Sequence, residues 1–276
     1  MPETSVFASP TLDSPYALTD EQVTRFREDG FIKLKEVLDA ETLAFYREEI
    51  TRLTFEHNPK KGLKDEDKNT YDRAFIQVGN LWTRSDVARR FSFSRRIAGI
   101  ATKLLGVSGV RMYHDQALYK EPAGGFTPWH VDQQYWPVST PMTVTAWIPL
   151  QAVPLDMGPL CFGRGSHLKH IAREIEISDE SEKLIAAEIK QHKIVEVFEP
   201  YDLGEISFHY GWTLHRAGGN TTDTPRKVHT VIYMDQDMVL GEPRNHNQRN
   251  DWETWSPSSK VGEVLADALN PILYPA

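Results

Sequence analysis

Of the ten histidines in this 276-residue chain, only His130 is followed two positions later by an aspartate, Asp132. Residues i and i+2 of a strand project to one side, so an imidazole nitrogen and a carboxylate oxygen placed there can converge on one ion. Alone, the pair fits a hydrogen-bonded His/Asp couple on a surface turn at least as well. Its setting adds weight: Phe126, Trp129, Tyr135 and Trp136 crowd the same stretch and can wall off water. His215, in Gly211-Trp212-Thr213-Leu214-His215, supplies a second imidazole if strand packing brings it alongside. Two histidines and one carboxylate on one face of a metal leave three neighbouring positions open, the ligand set characteristic of non-haem Fe(II) oxygenases.

Arg226 opens a strand-like run, Arg226 to Met234, in which Val228, Thr230, Ile232 and Met234 share its face. A guanidinium projecting into an apolar barrel requires an anion, and its fork suits a carboxylate. A rim arginine paired with a nearby acid is the plainer alternative. Composition narrows the partners. With 31 Lys and Arg against 39 Asp and Glu the net charge is −8, which argues against a surface for nucleic-acid backbones. The single cysteine, Cys161, excludes an internal disulfide and any multi-thiolate metal site and points to a reducing compartment, the cytoplasm. No apolar run approaches a membrane span, and the first twenty residues lack a signal-peptide layout.

The elements that must position these residues follow from pattern. Residues 1–17 carry Pro2, Pro10 and Pro15 and read as an extended arm, with residues 18–276 as a single domain. Thr19 and Gln22 form a capping box before a helix that Asp29-Gly30 ends. A strand from Phe31 to Val37 follows. Asp39 caps a second helix bearing Leu43, Tyr46, Ile50 and Leu53, and Ser94 and Gly106 bracket a third. The period then changes to two over Val110–Tyr119, Thr143–Gln151, Lys193–Phe198, Glu205–His209 and Arg226–Met234. Ser178–Gln191 reads as a surface helix inserted among them. Helices first and strands later describe an α+β chain with an antiparallel core.

The chain resembles the phytanoyl-CoA dioxygenase-like branch of the Fe(II)/2-oxoglutarate oxygenases. The likeness runs from Phe26-Arg27-Glu28-Asp29-Gly30-Phe31-Ile32 through Tyr113 to Lys120, the His130/Asp132 pair, Thr145 to Leu150, Gly165-Ser166-His167, and His215 with Arg226. It implies a double-stranded β-helix, a jelly-roll barrel flanked by helices. It further implies that His130, Asp132 and His215 hold Fe(II), and that Arg226 grips the distal carboxylate of 2-oxoglutarate while the keto-acid end chelates the metal. Trp147 and Gln116 fall where cosubstrate-lining side chains are expected. O2 is the oxidant, succinate and CO2 the co-products, and hydroxylation of a small organic substrate the default outcome. Asp132 argues against halogenation, since related halogenating enzymes lack that carboxylate. Two departures stand out. Some members place a lysine before the barrel, where this chain has Phe75 with Gln77 and Asn80 nearby, which makes Gln77 a further candidate for the cosubstrate pocket. Some also have a serine two residues after the second histidine, where Ala217 stands.

Tyr135, Trp136, Trp82, Trp129 and Trp212 could line an apolar substrate pocket or belong to the core. The absence of a concentrated Lys/Arg run leaves no seat for a CoA phosphate group. His114 and His209 read either as partners orienting a ligand or as core histidines. Two rivals remain: a non-redox, metal-dependent jelly-roll isomerase or hydrolase, for which Arg226 has no inherent use, and a catalytically degenerate binding protein, in which the triad should be eroded. Oligomeric state is not legible.

Overall fold

A computed structural model of the chain describes residues 10–63 and 74–275. In chain order its helices are α1 (Pro10–Asp13), α2 (Asp20–Asp29), α3 (Ala40–Glu56), α4 (Asp86–Ser92), α5 (Arg95–Leu105), α6 (Asp179–Gln191) and α7 (His246–Trp255). Its strands are β1 (Phe31–Leu34), β2 (Ile76–Gly79), β3 (Val110–Lys120), β4 (Thr127–His130), β5 (Thr143–Pro149), β6 (Leu160–Gly163), β7 (Glu196–Phe198), β8 (Ile206–Tyr210), β9 (His215–Ala217), β10 (Arg226–Asp235) and β11 (Ile272–Tyr274).

The helix boundaries follow local chemistry. The Gln22 backbone N–H donates to Thr19 Oγ1 at 3.2 Å while the Thr19 N–H donates to Gln22 Oε1 at 2.9 Å, and Gly30 ends α2 at φ +87°. Asp39 accepts from the Thr42 N–H at 2.7 Å to start α3, and Ser94 and Gly106 bracket α5. The first residues depart from an extended arm. Pro10–Asp13 forms one helical turn, Leu12 is buried, and Ser94 Oγ donates to the Leu12 carbonyl at 3.0 Å. A buried leucine and a satisfied carbonyl outweigh the extended bias of the prolines; residues 1–9 lie outside the described residues.

Two antiparallel sheets form the barrel. The larger runs β1-β8-β5-β10-β3-β11 with β2 added on β3, and the smaller runs β4-β9-β6-β7. This is the double-stranded β-helix. The main core lies between the outer face of the large sheet and the helices, where Val144, Ala146 and Ile148 of β5 and Ile206 and Phe208 of β8 meet Leu43, Phe91 and Leu104. Alternation then turns Thr145 and Trp147 of β5, Ser207 and His209 of β8, and Arg226, Val228 and Thr230 of β10 into the barrel. In β3 the alternation slips. Ile232 pairs with His114 but Tyr233 with Met112, so Tyr113 is an extra residue. This bulge delivers two consecutive side chains, Tyr113 and His114, to the barrel mouth. Among the described residues no helix is long and apolar enough to cross a membrane.

Candidate metal centre and its two cavities

His130 ends β4 and His215 begins β9, and the two are direct cross-strand partners with ring centroids 4.1 Å apart. Asp132 is not on the strand. It begins a 3₁₀ turn after Val131, whose extended backbone (φ −125°, ψ 137°) still returns the carboxylate to the His130 side. Asp132 Oδ1 lies 3.6 Å from His130 Nε2 and 3.5 Å from His215 Nε2. One ligand atom from each residue falls within 4.8 Å of the others. Neighbouring donors around a first-row metal sit roughly 3 Å apart, so an ion draws this cluster in only slightly.

The tautomers suit a cation. His130 Nδ1 hydrogen-bonds the Pro128 carbonyl at 2.7 Å and His215 Nδ1 the Thr213 carbonyl at 3.0 Å. A carbonyl only accepts, so the proton sits on Nδ1 and both Nε2 lone pairs face Asp132. Burial pushes both imidazoles below the ordinary histidine range, which keeps them neutral. Burial opposes charge on Asp132, but the hydrogen bond from His209 favours the carboxylate and its carboxyl lies below the usual range. Its second oxygen, Oδ2, is held separately, by His209 Nε2 at 3.3 Å and Thr145 Oγ1 at 3.2 Å. His209 is thus a partner of the carboxylate, while the role of Thr145 has no signal in the sequence beyond strand phase.

The cluster sits where two cavities meet. The inner one, about 80 Å³, is lined by Phe75, Gln116, Trp147, Ala217 and Arg226, with Thr127 and Thr230. Arg226 is 2% exposed, lies over the Trp147 ring at 5.4 Å and donates to the Gly158 carbonyl, while its Nε has no partner. Burial lowers it only to about 10, so it stays cationic, and no carboxylate pairs with it among the described residues. Lys120, directly opposite Arg226 across the β3/β10 ladder, is fully buried and donates to the Gly125 carbonyl. Burial, with the Arg226 charge beside it, pushes this ammonium down to about 6.

The outer cavity, about 460 Å³, opens from the triad toward α7. His130, Asp132 and Gln116 line both spaces, whereas Gln77 lines only the outer one and touches the inner through Gln116, to which it donates at 2.5 Å. Tyr135 and Trp136 line the outer cavity. Trp82 instead packs in the helical core, and Trp129 and Trp212 pack beneath α6. Trp255 and His114, stacked at 4.3 Å, complete the wall.

Known proteins resemble this chain in sequence and in fold. The family model described as "Phytanoyl-CoA dioxygenase (PhyH)" matches residues 26–228. The ectoine dioxygenase of Stutzerimonas stutzeri (strain A1501) is 25% identical over 262 residues, covering 86% of this chain and 83% of that protein. The crystal structure of the non-heme alpha ketoglutarate dependent carbocyclase SnoK superposes with a TM-score of 0.76 at 26% identity, covering 94% of this chain and 99% of SnoK. The epimerase SnoN, solved with Fe3+, alpha ketoglutarate and nogalamycin RO, also gives 0.76, at 28% identity over 92% of this chain and 97% of its own.

Proposed function

The chain belongs to the phytanoyl-CoA dioxygenase family, and from that premise we propose that it is an Fe(II)- and 2-oxoglutarate-dependent dioxygenase acting on a small organic substrate. One observation carries the reading: a buried guanidinium that pairs with no protein anion among the described residues faces the same small cavity as a His-Asp-His cluster whose nitrogen lone pairs converge. A non-redox metal hydrolase has no use for that cation, and a degenerate binding protein has no need of the preset tautomers.

In this reading His130, Asp132 and His215 hold the metal through Nε2, Oδ1 and Nε2. When bound, Fe(II) with 2-oxoglutarate and O2 supplies the oxidant that removes a substrate hydrogen, with succinate and CO2 as co-products. The protein's part is positioning. Arg226 fixes the distal carboxylate with a two-pronged contact in a site of low dielectric, which restricts the cosubstrate to one orientation. Trp147 backs the guanidinium, and Gln116, tethered to Gln77, stands between the cosubstrate and substrate spaces. Hydroxylation is the default outcome. The domain is taken to include residues 10–17 with the rest, since Leu12 is buried beside Ser94 and β11 pairs with the central β3. The lone, buried Cys161 is compatible with the cytoplasm.

The test is anaerobic. Fe(II) and 2-oxoglutarate added to the metal-free protein should give the weak visible charge-transfer band of the chelate, and Arg226→Ala should abolish or greatly weaken it. No band with wild type at millimolar cosubstrate rejects the oxygenase.

A further inference from the structure

Lys120 ends β3 on the strand face that carries Gln116 and Leu118 into the inner cavity. It is fully buried, it stands opposite Arg226 in the β3/β10 register, and no acid pairs with it among the described residues. The chain that follows is folded around this side chain. Its Nζ donates to the Gly125 carbonyl and, at 3.5 Å, to Thr127 Oγ1. Gly124 has no space for a side chain, since a Cβ there would fall 2.8 Å from Lys120 Cγ and 2.7 Å from the Glu121 carbonyl oxygen. Asn220 fastens the same loop, its backbone N–H donating to the Gly124 carbonyl at 3.0 Å and its Nδ2 to the Lys120 carbonyl at 3.1 Å. Thr127 in turn lines the inner cavity with Arg226. Its partner across the β4/β9 ladder is Ala217, which has no side-chain donor to offer. The Thr127 hydroxyl therefore stands between the buried lysine and the space beside the guanidinium.

We infer that Lys120 is a positioning residue for 2-oxoglutarate, acting through Thr127, and that its amine takes up a proton when the distal carboxylate settles on Arg226. The inference rests on the oxygenase reading for the identity of the ligand. Two buried cations side by side oppose each other's charge, and burial opposes both. A guanidinium keeps its proton, so the lysine gives way. Burial, with Arg226 beside it, pushes Lys120 down to about 6, which leaves an amine at neutral pH. No other ionisable group faces it among the described residues. Glu121, Asp156 and Asp223 occupy exposed loop positions. Tyr119 and Lys227 project from the opposite faces of their strands, and Tyr201 acts on Arg226 rather than on Lys120. A carboxylate on Arg226 cancels the opposing charge and supplies the missing anion. The amine then gains a proton from solvent, and as an ammonium it can only donate, to Gly125 and to Thr127 Oγ1. That leaves the Thr127 O–H free to donate to the carboxylate as a second contact beside the guanidinium.

The test is calorimetric titration of 2-oxoglutarate into the full-length protein loaded with Fe(II) under argon at pH 7, in two buffers of different ionisation enthalpy, PIPES and Tris. The difference in heat counts the protons exchanged. A neighbouring carboxylate favours the charged lysine enough to give an uptake of roughly 0.4–0.9 proton per 2-oxoglutarate. Lys120→Met, which fills the same space with an apolar chain, should abolish the uptake and weaken binding about tenfold, the loss expected for one hydrogen bond to a charged group. Thr127→Val should weaken binding by a similar factor, and Thr127→Ser, which keeps the hydroxyl, should bind as wild type does. At saturating 2-oxoglutarate all three variants should show the wild-type chelate band, because the keto-acid end is untouched. No uptake in wild type, a measurement that needs no variant to fold, overturns the inference. So does uptake that persists in Lys120→Met, wild-type affinity in Thr127→Val, or equal losses in the valine and serine variants. The wild-type chelate band decides the oxygenase reading separately. A missing band with no heat of binding rejects that reading and the inference with it, whereas a normal band without proton uptake sinks the inference alone.

Discussion

His130 and His215 face each other across the β4/β9 ladder, and each pins its Nδ1 to the backbone carbonyl two residues earlier, of Pro128 and Thr213. The same local device, used twice, sets both imidazoles as Nε2 donors before any ion arrives. His130→Ala or Asp132→Ala is therefore expected to stop succinate formation and to lower Fe(II) affinity by more than the roughly 10–100-fold that loss of an outer partner costs. Equilibrium metal binding and succinate yield are the measurements, and undiminished turnover in either variant removes the ligand assignment.

Arg226 has a different signature. The cosubstrate should stabilise the iron-loaded wild type by about 2.7 kcal/mol at a hundredfold excess over its dissociation constant. Arg226→Ala should cost about 2–5 kcal/mol in the free energy of 2-oxoglutarate binding, read as a raised KM for 2-oxoglutarate and a lost thermal shift. Arg226→Lys should restore little, because an ammonium cannot reproduce the two-pronged contact. Full rescue by lysine would show that only charge matters at this position.

His209 should act through Asp132. Its Nε2 and Thr145 Oγ1 occupy Oδ2 and leave Oδ1 facing the two histidines. His209→Ala is expected to weaken Fe(II) binding by roughly 10–100-fold, and Thr145→Val less. Because both residues hold the same oxygen, their effects should be non-additive in a double-mutant cycle. Strict additivity, or no change in metal affinity, contradicts this role.

The sequence made the frame legible wherever a local rule had no competitor. Thr19 with Gln22, Asp39, Ser94 and Gly106 start or end helices as their side chains dictate, and Arg226 opens a strand whose alternate residues point inward. The triad was legible too, although for Asp132 the convergence comes from one extended residue leading into a turn rather than from a continuous strand. Three features depended on tertiary context. Helix α7 packs on the core through little more than Trp252 and Trp255, too few apolar residues for a helical period to announce it. The β3 bulge becomes visible only in the pairing with β10. His209 and Lys120 acquire their neighbours from cross-strand placement, which no spacing along the chain encodes.

Acid should unsettle the fold partly through His114. Burial pushes this imidazole down to about 4, against about 6.5 in the unfolded chain. Between those values the unfolded state binds the extra proton, so stability is fully present above about pH 6.5 and is lost as pH falls toward 4, by roughly 3 kcal/mol in all. Asp115, raised to about 7 by burial, acts with the opposite sign over much of the same window. The difference between wild type and His114→Phe isolates the histidine. Urea midpoints should fall more steeply from pH 7 to 4.5 in wild type than in the variant, and parallel curves would contradict a neutral, buried His114.

Gly158 ties backbone geometry to cosubstrate binding. At φ +73° it sits in the left-handed region, a Cβ there would run into the Gly218 carbonyl, and its own carbonyl accepts from Arg226. Gly158→Ala should cost about 1–2 kcal/mol of stability through conformation alone, and more if the 218–219 backbone must move. If the Gly158 carbonyl is what aims the guanidinium, the variant should also raise the KM for 2-oxoglutarate while leaving Fe(II) affinity near wild type, because the three candidate ligands lie on other segments. A lower melting temperature with an unchanged KM would confine Gly158 to folding and leave the orientation of Arg226 to Trp147.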